Sequence, residues 1–277
     1  MLGHVHTWGN PANPAVVCLH GFMQTGASWE SVAQEWARRY FVVAPDLIGH
    51  GSNVVDPLPQ NFTLDAYCAQ VAQVVAWCKD QGCASVVLVG YSMGGRIAAT
   101  YAARTQCAGI RALVLESAGL GPASEEQRAV RAQKSEASIA RLEASTFEDF
   151  VSFWEALPLF ASQRALPEDV QARVRAERLA NDPAQLVLNL RHAGQQCMEN
   201  LRGALTHIPV PALYVAGAHD VTYTEIAHEL ERSLAGSAQN KGGLQVQVVA
   251  GSGHNIHLEN PQEFTHIVQS FLAPLAL

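Results

Sequence analysis

The sequence predicts an α/β fold in which helices cover both faces of a mostly parallel central sheet, with an inserted all-helical cap. Short apolar runs alternate with segments of helical periodicity, as expected for a parallel sheet that is buried on both faces. One alternation contains Gly-Tyr-Ser-Met-Gly at positions 90–94, a G-x-S-x-G segment between an apolar run and a helical pattern. From 124 to 208 the pattern is helical throughout, which indicates an insertion.

Length and composition limit the classes of protein to consider. The chain has 277 residues, 48% of them hydrophobic and 16% charged, which suits one α/β core with an insertion. No apolar run approaches the ~18 residues of a membrane span, and the first residues do not resemble a signal peptide. The net charge of −7 argues against nucleic acid and anionic membranes as partners. We therefore expect no nucleic-acid or membrane partner, and the sequence leaves the oligomeric state open.

The cysteines indicate the compartment. They are scattered through apolar or helical runs and form no C-x-x-C pair, so they are expected to be reduced, buried thiols. This usage predicts a cytoplasmic protein. The six residues are Cys18, Cys68, Cys78, Cys83, Cys107 and Cys197.

The first part of the chain alternates strands and helices. Ser28 is predicted to cap a helix that carries Trp36, and Thr63 a longer helix that runs through Trp77. A third helical pattern begins directly after the G-x-S-x-G turn. The predicted strands are 15–19, 40–44, 86–89 and 110–116.

Four helices are predicted in the insertion. Ser124 begins the first as part of a capping box, and Thr146, Pro167 and Asp182 mark the starts of the other three. The predicted domains are therefore a core, residues 1–120 and 205–277, and a helical cap, residues 121–204.

The α/β pattern returns after the insertion. Apolar runs predict strands at 210–216 and 244–249, with a helix from Thr222 to 236 between them and a terminal helix after Asn260. Only residues 236–243 look like a loose loop.

Three residues that follow predicted strands are candidates for a catalytic triad: Ser92, Asp220 and His254. A serine hydroxyl becomes reactive when an imidazole takes its proton and a carboxylate orients that imidazole. The order Ser, Asp, His along the chain is that of α/β-hydrolases, so the predicted fold is the α/β-hydrolase fold. Asp46 precedes the serine and is interpreted as a turn-former. His219 is interpreted as a solvated side chain.

A metal site is considered and disfavoured. His254 and His257 have a spacing that can suit a metal, but no carboxylate or cysteine cluster lies near them in the sequence. We therefore predict no metal ligand.

Two backbone amides are predicted to form an oxyanion hole. One belongs to Met93, the residue after the serine, and the other to Phe22, in the loop after the first predicted strand. Gly21 allows the backbone to approach closely there. His20 either caps the end of that strand or acts directly, and the sequence does not separate the two.

Arg96 is unexpected on a helix that is packed in the middle of the fold. A guanidinium there is costly unless it is paired or reaches a polar cavity. It could form an internal salt bridge with Glu116. The alternative is that it binds an anionic substrate beside Ser92, one helical turn away.

Short segments along nearly the whole chain carry a specific resemblance. They are His-Gly-Phe at 20–22, Asp-Leu-Ile-Gly-His-Gly at 46–51, Leu-Val-Gly-Tyr-Ser-Met-Gly-Gly-Arg at 88–96, Glu-Gln-Arg-Ala-Val-Arg at 126–131, Phe-Trp at 153–154 with Pro-Leu-Phe-Ala-Ser at 158–162, and Gly-His-Asn-Ile-His-Leu-Glu-Asn-Pro at 253–261. Together they resemble the 2-succinyl-6-hydroxy-2,4-cyclohexadiene-1-carboxylate synthases of menaquinone biosynthesis. Arg96 and the cap segments narrow the match, since the other segments fit many α/β-hydrolases.

The resemblance implies a lyase that needs no cofactor. Its substrate would be the polycarboxylate 2-succinyl-5-enolpyruvyl-6-hydroxy-3-cyclohexene-1-carboxylate, from which it would remove a proton and eliminate pyruvate to give the compound that names the family. Ser92, activated by His254 and oriented by Asp220, would act as the base rather than as an acylated nucleophile.

The resemblance also implies a set of substrate-binding residues. The cations carried over by position are Arg96, Arg131 and Arg178, with Tyr91 and Trp154 lining the pocket. Arg173 or Arg175 could take the place of Arg178. Arg128 and Arg131 share a helix face, so only one of them need point inward.

Two other functions stay open. A serine hydrolase of esters, or of carbon–carbon bonds in ring-cleavage products, would use the same triad. A non-catalytic receptor for a small ligand could use the same fold, although the intact triad argues against it.

Overall fold

A single seven-stranded sheet forms the centre of the protein in a computed structural model, which describes residues 3–235, 243–275 and 277. The strand order is β1-β3-β2-β4-β5-β6-β7, in which β1 is antiparallel and the other pairings are parallel. The strands are β1 Val5–Trp8, β2 Ala15–Leu19, β3 Phe41–Pro45, β4 Val86–Tyr91, β5 Ala112–Glu116, β6 Ala212–Gly217 and β7 Leu244–Val249.

Helices follow most strands, and several occur in succession between β5 and β6. The α-helices are α1 Glu30–Trp36, α2 Leu64–Asp80, α3 Met93–Thr105, α4 Glu125–Ala144, α5 Phe147–Glu155, α6 Glu168–Leu179, α7 Pro183–Ala193, α8 Arg202–Leu205, α9 Val221–Ala235, α10 Ile256–Glu259 and α11 Pro261–Leu272. Short 3₁₀-helices span Gly26–Trp29, Pro59–Phe62, Pro158–Ala165 and Gln195–Cys197. None of the helices in the described ranges is long and apolar enough to cross a membrane.

The two faces of the sheet are covered by different helices, which confirms the predicted α/β architecture. Alternate residues of the buried strands point to opposite faces, as strand geometry requires. One face packs against α2, α3 and α9, and the other packs against α1 and α11. A smaller apolar cluster joins Met23 in the core to Phe150 and Leu186 in α5 and α7.

The predicted helix starts are mostly correct. The side chains of Thr63, Ser124, Thr146 and Asp182 each accept a hydrogen bond from an amide in the first turn of the helix that follows. Pro167 precedes α6 directly. The division into core and cap remains a prediction, and the loose segment predicted at 236–243 lies, except for Gly243, outside the described residues.

Two features near the start of the chain differ from the prediction. The edge strand β1 was not predicted, because it is only half-buried and His6 and Thr7 interrupt its apolar pattern. Ser28 does not cap α1, because a 3₁₀-helix comes first and Thr25 caps it by accepting a hydrogen bond from the amide of Ala27. The Ser28 hydroxyl instead donates to the carbonyl of Thr25.

Candidate active site

Ser92 lies at the corner between β4 and α3 in a backbone conformation that few serines adopt. Its φ of 49° is in the positive region, which is strained for any residue except glycine. The Ser92 amide donates a 2.9 Å hydrogen bond to the carbonyl of Glu116 at the end of β5. A Cβ on Gly94 would lie 2.2 Å from the carbonyl oxygen of Leu19, so this corner requires glycine.

The structure brings Ser92, Asp220 and His254 into one hydrogen-bonded chain. His254 Nε2 lies 2.9 Å from Ser92 Oγ, and its Nδ1 lies 2.6 Å from Asp220 Oδ2. The imidazole and the carboxylate are both buried, and the rings of Tyr91 and Tyr223 pack against the imidazole. The geometry allows the imidazole to accept the serine proton while the carboxylate fixes its orientation.

The two predicted oxyanion amides, of Phe22 and Met93, lie next to backbone groups that are held by hydrogen bonds. The Gly94 amide donates to the carbonyl of His20 at 3.0 Å, and the Gly21 amide donates to Gln24 Oε1 at 3.0 Å. Met93 is the first residue of α3, where an amide has no acceptor within its own helix. Across the described chain, no hydrogen bond occupies the amide of Met93 or of Phe22. Their role as oxyanion donors remains a prediction.

His20 has a structural contact that explains its burial. Its Nε2 accepts a 2.9 Å hydrogen bond from the amide of Leu47, and Nδ1 lies 2.8 Å from the carbonyl of Gly21. Burial lowers the pKa of this imidazole to about 4, so it is neutral at pH 7. These contacts favour the strand-end interpretation of His20.

A cavity opens beside the triad, and residues from the helices between β5 and β6 form part of its wall. All five predicted substrate-binding residues line it, together with Ser92, His254 and the side chain of Phe22. The five are Tyr91, Arg96, Trp154, Arg131 and Arg178.

Arg96 is buried in this wall without a carboxylate partner. Its Nη1 donates a 2.9 Å hydrogen bond to the carbonyl of Ala193, and no ion pair from it is found among the described residues. Burial lowers the pKa of its guanidinium, since the cation is poorly solvated. A desolvated cation of this kind is a strong binding site for an anion.

The salt bridge considered between Arg96 and Glu116 does not form. Glu116 shares its strand face with Ala112 and Val114, which pack against α1 and α11, whereas α3 covers the opposite face. The carboxylate of Glu116 binds His257 instead, at 2.6 Å from Nδ1.

Helix α4 supplies two further cations to the cavity. Arg131 and Lys134 both line the cavity, and neither forms an ion pair within the described part of the chain. Arg128 turns away and donates to the carbonyls of Gln196 and Met198. Lys134 was missed by the sequence analysis, although its i+3 spacing from Arg131 places it on the same helix face.

Arg178 lines the cavity but already has a partner. Its guanidinium donates to Glu155 at 3.0 Å and to Gln163 at 3.1 Å. Arg175 binds the same Glu155 outside this cavity, and Arg173 lines a separate groove. Of the three candidates in α6, only Arg178 therefore reaches the cavity, and Glu155 offsets much of its charge.

The remaining polar candidates have structural partners. Asp46 accepts hydrogen bonds from the amides of Gly26 and Ser52, as expected for a turn-former, and His219 is exposed. His254 and His257 bind different carboxylates and do not share a ligand position. Within the described ranges, the residues close enough to share a metal ion form a separate group: His4, His6 and Asp46.

Comparison with known proteins places these features in context. The profile of the alpha/beta hydrolase family matches residues 16–267. A Bacillus subtilis protein provisionally named 2-succinyl-6-hydroxy-2,4-cyclohexadiene-1-carboxylate synthase is 31% identical over 96% of this chain and 93% of its own length. The synthase of that name from Pectobacterium atrosepticum is 28% identical over 95% of each chain. The solved structure of MenH from S. aureus superposes with a TM-score of 0.86 at 30% identity, covering 98% of each chain.

Proposed function

The chain belongs to the 2-succinyl-6-hydroxy-2,4-cyclohexadiene-1-carboxylate synthases of the alpha/beta hydrolase family, and on this premise we propose that it is the pyruvate-eliminating lyase of menaquinone biosynthesis. The observation that carries the proposal is the charge of the cavity above Ser92. Arg96, Arg131 and Lys134 line it, and none of these cations forms an ion pair with another described residue.

This charge matches the substrate that the family name implies. The ring carboxylate, the end of the succinyl chain and the enolpyruvyl group each carry one negative charge at neutral pH. Unpaired guanidinium and ammonium groups bind carboxylates through charge-assisted hydrogen bonds, and the guanidinium can bind through two of them. An uncharged ester would leave the buried Arg96 without a counter-charge, which is unfavourable.

The proposed reaction begins with removal of the proton at ring carbon 2, which is acidic because it is next to the succinyl ketone. Ser92 Oγ takes this proton as its own proton moves to His254 Nε2, and Asp220 stabilises the resulting imidazolium. The electron pair forms the bond between carbons 2 and 3. The former double bond shifts to carbons 4 and 5, and the bond from carbon 5 to the enolpyruvyl oxygen breaks.

The products balance without water or a cofactor. Pyruvate leaves as its enolate, which takes up a proton from solvent at its methylene carbon. His254 releases the proton that it received, so the reaction neither gains nor loses a proton overall. Negative charge develops on the succinyl ketone oxygen during proton removal. We assign the amides of Phe22 and Met93 as its hydrogen-bond donors, because preorganised donors act most strongly where charge develops.

The test is pyruvate release from the enolpyruvyl substrate, measured beside a panel of activated esters. We expect stoichiometric pyruvate and the cyclohexadiene product, with weak ester turnover. The serine hydrolase alternative would give strong ester turnover and no pyruvate. A receptor would give neither, and Ser92 would not react with a fluorophosphonate.

Arg131→Ala is expected to raise KM about tenfold or more while kcat falls less, because Arg131 holds a carboxylate in both ground and transition states. Arg128→Ala is the matched control on the same helix, since its guanidinium binds backbone carbonyls outside the cavity. Steady-state kinetics of pyruvate release would check both variants. Equal KM values for the two variants would remove Arg131 from the binding site.

We further propose that residues 121–204 act as a cap over the site and that the protein is cytoplasmic. The cavity supports the first part, because α4, α5 and α6 contribute Arg131, Trp154 and Arg178 to its wall. The cysteines support the second, because all six are free thiols, although Cys68 is only half-buried and Cys197 is exposed rather than buried as predicted.

A further inference from the structure

A second carboxylate–imidazole pair lies beside the triad, formed by Glu116 and His257. Glu116 Oε2 is 2.6 Å from His257 Nδ1, and both side chains are 0% exposed. We propose that Glu116 is a positioning residue that holds Ser92 through its backbone carbonyl and His254 through the contact of its carboxylate with His257. This role deepens the function proposed above, and only the measurement of pyruvate release depends on that function.

The link to Ser92 runs through the backbone. The carbonyl of Glu116 accepts the Ser92 amide at 2.9 Å, at the point where the serine has a positive φ. A strained conformation persists only when its surroundings hold it, and this hydrogen bond ties the strained residue to the end of β5. The position of Glu116 therefore affects the position of the serine hydroxyl.

The link to His254 runs through the side chain of Glu116. Oε1 accepts the amide of His257 at 2.9 Å while Oε2 contacts the ring, so both carboxylate oxygens hold the same residue. His257 belongs to the short helix α10, which begins two residues after His254. Glu259 completes the support, since its carboxylate accepts the amides of Gly253 and Asn255 on either side of His254.

The packing around His257 leaves it little freedom. Its ring stacks on Trp29, with centroids 4.0 Å apart and planes 16° apart. The ring of Tyr91 lies between the two histidines, 5.0 Å from His257 and 5.3 Å from His254. Glu116 thus joins a nucleophile-bearing turn and a histidine loop that are 162 residues apart in the chain.

A purely structural role would not require a charge at this position. Burying a carboxylate is costly, and an apolar pair of similar volume is often at least as stable. The charge of Glu116 affects the neighbouring Tyr91. Burial is the main reason that the pKa of the Tyr91 hydroxyl is raised, and the negative charge of Glu116 raises it further. The same charge favours the imidazolium that forms on His254 when it takes the serine proton.

Glu116→Gln is the sharpest test, because glutamine keeps the shape and can still hydrogen-bond the His257 amide. We expect kcat for pyruvate release to fall about 10- to 100-fold with KM nearly unchanged, the range expected for a small misplacement of reacting groups. The rate at which a fluorophosphonate labels Ser92 should fall by a similar factor. Labelling does not require the lyase substrate, so it tests the positioning role even if the proposed reaction is wrong.

Matched variants separate positioning from folding. Tyr214→Phe removes a buried hydrogen bond to the carbonyl of Ala118, just after the end of β5, and should leave labelling and kcat unchanged. His257→Asn keeps an N–H that can donate to Glu116, whereas His257→Leu does not. Fluorophosphonate should therefore label Ser92 faster in the asparagine variant than in the leucine variant.

The proposal is overturned by either of two results. One is a Glu116→Gln enzyme with labelling rate and kcat within twofold of the unaltered chain, whatever its melting temperature. The other, which serves if Glu116→Gln does not fold, is equal labelling rates for His257→Asn and His257→Leu.

Discussion

Replacing Ser92 with alanine is expected to lower kcat for pyruvate release by about 10³- to 10⁴-fold, with the fold retained. The reason is that Ser92 Oγ is the group that takes the substrate proton in the proposed mechanism, and a positioned base contributes on the order of 10²- to 10⁴-fold. The substitution also removes the hydroxyl that lies 2.9 Å from His254 Nε2 and that this imidazole activates. KM should change little, because the cavity cations are intact.

The measurement is continuous pyruvate release with purified enzyme, with circular dichroism to confirm folding. Ser85→Ala is a matched control, because Ser85 lies just before the other end of β4 and its buried hydroxyl has no hydrogen-bond partner among the described residues. A Ser92→Ala enzyme with a tenth or more of the original kcat would show that another group removes the proton.

Replacing Arg96 with alanine is expected to lower kcat/KM by about 100-fold or more without lowering the free energy of unfolding. A loss of that size corresponds to about 2.7 kcal/mol, well above the ~1 kcal/mol typical of an exposed ion pair. Removal of a buried cation that has no carboxylate partner relieves a desolvation cost, which offsets the lost hydrogen bond to the carbonyl of Ala193. Activity and stability should therefore respond differently.

The same helix provides the control for this variant. Arg104 forms ion pairs with Asp65 and Glu199 at the surface, so Arg104→Ala should change kcat/KM and stability little. Urea unfolding and kinetics of both variants would check the prediction. An Arg96→Ala chain that unfolds would mean that the guanidinium is a structural group, and unchanged kinetics would place the substrate carboxylate elsewhere.

The sequence predicted the site best where the chemistry is local. The turn at 90–94 requires small residues around Ser92, and the order of Ser92, Asp220 and His254 identifies strand ends that meet at one edge of a parallel sheet. The family resemblance is confirmed by relatives that cover almost the whole chain. The structure brings the three triad side chains within hydrogen-bond distance, and their catalytic roles remain predictions for the assays above.

Partners between distant segments were predicted less well. Glu116 was considered as the counter-ion of Arg96, but residue alternation in β5 directs it to the opposite face of the sheet. Lys134 was overlooked because a charged residue on a polar helix is most often solvated. Arg178 was predicted to bind the substrate and does line the cavity, but the sequence did not show that Glu155, 23 residues before it in the chain, already binds it.

The sequence by itself determined the α/β alternation, the position of the helices between β5 and β6 and the candidate residues for base catalysis, because these follow from periodicity and turn chemistry within short windows. Only the tertiary structure decided which charges are free and which are paired. That outcome depends on which helix and strand faces meet, and residues far apart in the chain determine those contacts jointly. Arg96 and Arg131, which form no ion pair within the described residues, and the buried pair of Glu116 with His257 are therefore visible only once the chain is folded.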